Sequence, residues 1–397
     1  MLKINVIGSI FSMYAIALLQ ATYLDKTYPK SVTQDAELDT AQLIAKYKYP
    51  IETHYVTTED KYILCLHRIS NRGKPPVFLM HGLLDSSAAW VIMGPTKSLA
   101  YYLYDNDYDV WMGNARGNRY SRNHTDLNPD KDELFWTFSW HEIGVNDLPA
   151  MLDYVLKQTG YKKIGYFGHS QGTTAFWVMC AMHPKYNEII TMMYAIAPVA
   201  FMKHLKAPLL PLAQTALEAA QNRISEFMPH TKWFWKSCFL SKLTEVACVE
   251  ALFQIMGRDV PQTNMTMLPA ILGHFPAGCN LKQITHYLQL VENDRFCLFD
   301  YGLEENMKLY KQSSPPDYPL EKITAPVGLY YTLNDYLTND VDVERLAQLL
   351  PNVVKKKLFP SKTWNHMALI WGIVAREAAY KDMLETMKKY PYTTDTV

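Results

Sequence analysis

Residues 166–177 read YFGHSQGTTAFW. Ser170 stands between Gly168 and Gly172, after an apolar run (KKIGYF, 162–167) and before a helical pattern (QGTTAFWVMCAMHP, 171–184). A lone G-x-S-x-G is also what a glycine-rich strand-to-helix turn looks like. Set between a buried strand and a helix, it is the arrangement that raises a serine hydroxyl on a sharp, strained turn. The flanking glycines let strand and helix pack closely there. The first turn of the helix adds a positive dipole beside the hydroxyl. Ser170 is therefore read as a nucleophile.

The neighbouring sequence supplies the scaffold such a turn needs. PPVFLMHG (75–82), YDVWMGNAR (108–116), KKIGYFG (162–168) and TMMYAIAPV (191–199) read as strands, and DLPAMLDYVLKQTG (147–160) as an amphipathic helix ending on a glycine. Continuous apolar strands alternating with helices predict an α/β fold: a mostly parallel central sheet with helices on both faces. ETHYVTTEDKYILCLHRI (52–69) alternates like an antiparallel hairpin at a sheet edge. From about 201 to 320 the pattern is helical, aromatic and proline-rich, with no strand expected. APVGLYYTLND (325–335) and VVKKKLFP (353–360) resume the strands, and one last helix is expected through IWGIVAREAAYKDMLETMKKY. The organisation read is a core of 22–200 and 321–397 interrupted by a helical insertion over 201–320, of a size suited to a subdomain.

A serine hydroxyl is not ionised at neutral pH, so a nucleophilic serine needs a base. On this layout an acid and then a histidine follow the serine in the chain. Of twelve histidines only His366 lies beyond Asp335, in the turn KTWNHMALIWG after the last strand. His169 reads as a packing residue and His81 as loop structure. For the acid, Asp335 sits at a strand end. Asp340 and Asp342 compete with it, and all three also read as solvated or helix-capping aspartates. Position favours Asp335. The developing oxyanion calls for main-chain donors: the N–H of Gln171, after the serine, and that of Leu83 in MHGLLDSSAAW.

The bulk properties exclude some classes. The 397 residues carry 39 basic and 39 acidic side chains, so no charge balance asks for nucleic acid or an anionic membrane. MLKINVIGSIFSMYAIALLQATYL has one lysine, a short apolar run and small residues near Ala21, which is signal-peptide architecture over 1–21. The competing reading is an N-terminal anchor, for which the run is short. No later stretch is apolar enough to span a membrane. None of the six cysteines forms a C-x-x-C pair. Cys238 and Cys248 are close enough in sequence for a local bridge in an oxidising compartment, the alternative being six free buried thiols. Asn123-His-Thr125 and Asn264-Met-Thr266 are glycosylation sequons.

With these residues assembled, the chain resembles the acid lipase family, the gastric and lysosomal acid lipases and their insect relatives. The resemblance runs from about 48 to 390 and is carried by TEDKYILCLHRI, HGLLDSSAAW, YDVWMGNARGNRYSR, FWTFSWHEIGVNDLPAMLDYV, GHSQGTT, FPAG and PNVVKKKLFPSKTWNHMALIWG. It implies the α/β-hydrolase fold, a Ser170–His366–Asp335 triad and an oxyanion hole at Leu83 and Gln171. It also implies a cap and lid in the insertion and a cap disulfide between Cys238 and Cys248. Met367 and Ala368 follow His366 where the family commonly has Leu-Asp. Asn339 and Met256 replace a frequent aspartate and a further cap cysteine.

The function expected is a secreted lipase, with a lysosomal lumen as the alternative destination. It would cleave triacylglycerol or steryl esters at a lipid–water interface, without metal or organic cofactor. Two alternatives stand beside it: an esterase for smaller soluble esters, and an inactive lipid-binding protein on the same scaffold. HTKWFWKSCFLSKL (230–243), with Trp233, Phe234, Trp235, Phe239 and Leu240, reads either as cap core or as a lid, part of whose apolar face rests over Ser170 when closed and swings out to meet lipid.

Overall fold

The computed structural model describes residues 23–208 and 225–392, and the expected leader at 1–21 lies outside them. The strands are β1 (Ile51–Thr57), β2 (Ile63–Ile69), β3 (Pro76–Met80), β4 (Asp109–Gly113), β5 (Ile164–His169), β6 (Ile190–Ile196), β7 (Glu226–Phe227), β8 (Cys279–Asn280), β9 (Val327–Thr332) and β10 (Val353–Phe359). Eight of them form one sheet in the order β1-β2-β4-β3-β5-β6-β9-β10. β1 pairs with β2 and β2 with β4 in antiparallel fashion, and every other neighbouring pair is parallel. This is the α/β-hydrolase architecture.

The central strands are predominantly apolar because both of their faces are covered. β3, β5, β6 and β9 are buried at every residue. Alternate side chains go to opposite faces. Phe78 and Met80 enter a core with Trp140, Val155 and Trp177, whereas Val77 and Leu79 enter another with Trp90, Tyr101 and Trp371. The outer strands differ. β1 alternates between half-buried and exposed residues. β10 carries Lys355, Lys356 and Lys357, and charged side chains on an edge strand discourage pairing with a second chain.

Two helices flank the GHSQG turn in sequence: α1 (Leu148–Thr159), which ends on Gly160 at φ 74°, and α2 (Gln171–Met182). Between β6 and β9 the described chain folds into α3 (Lys232–Ser237), α4 (Lys242–Met256), α5 (Leu268–His274) and α6 (Leu281–Asn293), among other short helices. Cys238 and Cys248 are joined by a disulfide that ties the end of α3 to α4. Cys65, Cys180, Cys279 and Cys297 are buried free thiols. After β9 come α7 (Asp340–Leu349) and, near the end, α8 (Lys381–Met387).

Two expectations need correction. The stretch 201–320 is not strand-free, since β7 and β8 pair as a two-residue antiparallel ladder. The last helix is not continuous either. Helix covers Ala368–Trp371, and Gly372 then turns extended, at φ −66° and ψ 147°. Gly372 bridges to Thr263, and Ile373 gives its N–H to the Gln262 carbonyl, so a tertiary pairing breaks the local pattern. Helical structure resumes at Arg376 and continues through α8.

Candidate active site

Ser170 sits between β5 and α2 with φ 50° and ψ −117°, a conformation rarely adopted by a residue with a Cβ. The surroundings enforce it. Its N–H donates to the Ile196 carbonyl at 3.0 Å, and its carbonyl accepts the Thr173 N–H at 2.8 Å and the Thr173 hydroxyl at 2.6 Å. The two glycines are required by contact. A Cβ on Gly168 would lie 2.9 Å from the Gly172 backbone, and one on Gly172 would lie 2.3 Å from the Met80 carbonyl oxygen. Gln171 is the first residue of α2, and the first N–H groups of a helix have no intrahelical acceptor. Its main-chain donor thus stands beside the serine.

The loop after β3 closes on the same point. A Cβ on Gly82 would come 3.0 Å from His169 Nδ1 and 3.1 Å from Ser170 Cβ, so this loop, with Leu83 next, approaches the serine closely and a side chain there would crowd it. Leu84 is held at φ 62°, with its carbonyl accepting the Ala277 N–H at 2.6 Å. His81 anchors the loop from beneath. Its Nδ1–H donates to the Gly82 carbonyl at 2.7 Å, and its Nε2 accepts from the Ala115 N–H and Asn118 Nδ2, each at 3.1 Å. Burial pushes its pKa down to about 4, consistent with a neutral imidazole that uses one nitrogen as acceptor.

His366 and Asp335 meet in the loops after β10 and β9. His366 Nδ1 donates to Asp335 Oδ2 at 2.8 Å, and both residues are buried. The other carboxylate oxygen, Oδ1, accepts the N–H groups of Leu337 and Thr338, each at 2.8 Å, so the carboxylate is fixed at both oxygens. With Nδ1 committed to the acid, Nε2 is the ring nitrogen free to take a proton. The competing aspartates are elsewhere. Asp340 and Asp342 belong to the first turn of α7, which Asn339 caps, and the Asp342 carboxylate is taken by the His204 main-chain N–H at 2.9 Å and Nδ1 at 2.8 Å.

Ser170, His366 and Leu83 line one mostly apolar cavity of about 180 Å³. Much of its remaining wall comes from between β6 and β9, including Met202, Ile255, Phe275, Tyr287, Leu288 and Val291. The stretch 230–243 contributes nothing to that wall. Trp235 and Phe239 are buried in a separate core with Leu24, Tyr28 and Phe253, and Trp233 is 78% exposed. Trp235 thus packs as the core reading expects, and neither tryptophan borders the cavity that holds Ser170.

Three residues beside the cavity were not singled out as functional by the sequence. His169 donates Nε2–H to the His366 carbonyl at 3.0 Å, while its Nδ1 is buried without a partner. Burial, with His366 alongside, pushes its pKa down to about 3, so it stays neutral. Met256 gives its carbonyl to the His366 N–H at 3.1 Å. Asp85 lines the cavity, fully buried, with Oδ1 accepting the Ser86 N–H at 2.7 Å and Oδ2 unpartnered. Burial pushes its carboxyl up to about 7. Adjacency to the serine was the only signal at His169. For Met256 and Asp85 the sequence offered none.

Among the described residues no group of three His, Cys, Asp or Glu side chains could hold a metal ion, and no helix is long and apolar enough to cross a membrane. Of the two sequons, Asn123 is exposed and Asn264 is half-buried.

The comparisons with known proteins agree with one another. A model of a partial α/β-hydrolase lipase region matches residues 40–94, and one of the α/β-hydrolase fold matches residues 75–373. The chain is 47% identical to Lipase 1 of Drosophila melanogaster over 371 residues, covering 92% of this chain and 83% of that protein. It is 36% identical to gastric triacylglycerol lipase of Bos taurus, covering 89% of this chain and 92% of that one. A solved structure of a soluble variant of monoglyceride lipase from Saccharomyces cerevisiae superposes with a TM-score of 0.54 at 15% identity, covering 86% and 97% of the two chains, and shares the fold.

Proposed function

The chain belongs to the acid lipase family of α/β-hydrolases and is a carboxylic ester hydrolase; we propose that it cleaves neutral lipid esters, triacylglycerol or steryl ester, through an acyl-enzyme on Ser170. The observation that carries this reading is the 2.8 Å contact between His366 Nδ1 and Asp335 Oδ2, with His366 and Ser170 on the wall of one cavity.

His366 Nε2 takes the hydroxyl proton as Ser170 Oγ attacks the ester carbonyl. Asp335 fixes the tautomer that leaves Nε2 unprotonated and stabilises the imidazolium that forms. The Leu83 and Gln171 N–H groups receive the oxyanion. His366 then protonates the departing alcohol. It next deprotonates a water that attacks the acyl-enzyme, and collapse of the second tetrahedral intermediate releases the fatty acid and restores Ser170. The strained backbone at Ser170 supports this role, since such conformations persist where the surrounding structure over-determines them and cluster at functional sites.

The substrate class rests on the cavity. Its wall is largely aliphatic and aromatic and is supplied in good part by the 201–320 region, which we assign as a cap. An apolar, covered cavity suits an acyl chain. The Cys238–Cys248 disulfide supports a secretory route, to the exterior or to a lysosomal lumen. Hydrolysis of esters of rising chain length, across pH, by wild type and Ser170→Ala tests the proposal. Long-chain lipid esters should be turned over by the wild type alone. Preference for short soluble esters would favour the esterase reading.

A further inference from the structure

The longest described helix of the cap, α4, ends against the two loops that carry the acid and the base. Four consecutive residues make the contact. The Met256 carbonyl accepts the N–H of His366 at 3.1 Å and that of Tyr336 at 3.5 Å. The Gly257 carbonyl accepts Asn365 Nδ2 at 2.9 Å, and the Arg258 carbonyl accepts Asn334 Nδ2 at 2.8 Å. The Asp259 carboxylate accepts the Asn365 N–H at 3.3 Å. One turn thus binds both neighbours of Asp335 in the chain, together with His366 and the residue before it.

The fit leaves little slack. Gly257 has φ 100°, and a Cβ there would lie 2.1 Å from the Asn334 carbonyl oxygen. Residues 360–365 belong to no helix or strand, so their position depends on ties of this kind. On the far side, the His366 carbonyl is held by His169. The imidazole must meet Asp335 at one nitrogen and serve Ser170 with the other. A displacement of about 1 Å in such an arrangement can cost about a hundredfold in rate.

We infer that the turn Met256–Asp259 is a positioning element for the chemical step, setting where His366 and Asp335 meet, so that the cap governs catalysis as well as covering the cavity. The inference rests on the catalytic reading of Ser170, His366 and Asp335. Gly257, Asp259 and Asn365 do not line the cavity that holds Ser170, so substitutions there reach the chemistry through the loops and not by touching substrate.

Asn365→Asp is the informative variant. It keeps the side-chain shape and the acceptor for the Met367 N–H and replaces the donor to Gly257 with a carboxylate oxygen; Asn365→Ser, which removes that donor without adding a charge beside Asp259 and His366, is its control and must give the same result. Gly257→Ala is the second. Should Gly257→Ala fail to fold, the nearly isosteric Asn365→Asp carries the test. Each is assayed on a soluble short-chain ester and an emulsified long-chain ester, with enzyme counted by active-site titration, and the rate of labelling by a serine-reactive phosphonate is followed. The expected result is a fall in kcat of about tenfold or more on both esters, with KM within about twofold and phosphonate labelling slowed in proportion. Unchanged kcat per titrated site, even with a lowered Tm, would make the turn merely structural and overturn the inference. A loss confined to the long-chain ester would also overturn it, by placing the effect in substrate access. Wild-type protein that neither hydrolyses an ester nor takes the label would instead bring down the catalytic reading beneath it.

Discussion

His169 and His366 are 197 positions apart in the chain, yet His169 Nε2 donates to the His366 carbonyl at 3.0 Å. The residue next to the nucleophile therefore holds the main chain of the base.

His169→Leu removes that donor and leaves a buried carbonyl unpaired, whereas His169→Gln keeps a side-chain amide that can donate. His169→Leu is expected to lower kcat on a soluble ester about tenfold with little change in KM. His169→Gln is expected to recover most of the rate. Equal kinetics for the two variants would show that the hydrogen bond does not matter to the reaction.

The choice of acid is tested in the same way. Asp335→Asn is expected to lower kcat by about a thousandfold or more, because the histidine loses the partner that fixes its tautomer. Asp340→Asn, at the first turn of α7, is expected to change kcat less than about twofold. Steady-state kinetics on both variants decide it, and a dead Asp340→Asn with an active Asp335→Asn would reverse the assignment.

Asp85 gives a prediction about stability and pH. Its carboxyl is fully buried and pushed up to about 7 in the folded protein, against an ordinary value of about 4 in the unfolded chain. Between these values the folded state keeps a proton that the unfolded state releases. The Asp85 contribution to stability therefore falls as pH rises through this window and is flat above it. Asp85→Asn cannot ionise. The Tm of the variant minus that of the wild type is expected to grow from pH 4 to pH 7 and then level off. A difference independent of pH would contradict the burial argument.

Arg116 anchors the loop after β4. It is 1% exposed, and its guanidinium contacts the fully buried Asp147 at 2.6 Å and Asp60 at 2.5 Å. It also lies over the Tyr62 ring at 3.9 Å. Arg116→Met would leave the buried Asp147 carboxyl without its cationic partner, at a cost of up to about 3–5 kcal/mol. Urea unfolding measures it, and a loss below about 1 kcal/mol would mean that Asp147 finds another partner or a proton.

The sequence displayed those features whose causes are local. GHSQG fixes a turn because glycines are needed on both sides of Ser170, and the predominantly apolar β3, β5, β6 and β9 announce a sheet covered on both faces. Asp335 stands out from Asp340 by its place just past a strand end. What stayed hidden depends on contacts between distant segments. The Met256 carbonyl reaches His366 only because α4 ends where two core loops converge. Gly372 breaks an otherwise helical pattern because residues 262 and 263 pair with the chain there. Trp233 and Trp235 share one short helix, and no pattern said that one would be buried and the other exposed. His169 carries no mark in sequence that separates a packing imidazole from one that donates to the base.

The account stands on Ser170 as the nucleophile. The most direct measurement treats wild type and Ser170→Ala with a serine-reactive phosphonate, locates the adduct by mass spectrometry and follows ester hydrolysis in the same samples. The predicted result is one adduct on the peptide containing Ser170, lost activity in step with labelling, and a folded Ser170→Ala protein that takes no label and is slower by about a thousandfold or more. Turnover by Ser170→Ala near the wild-type rate, or a stoichiometric adduct on another residue, would contradict it.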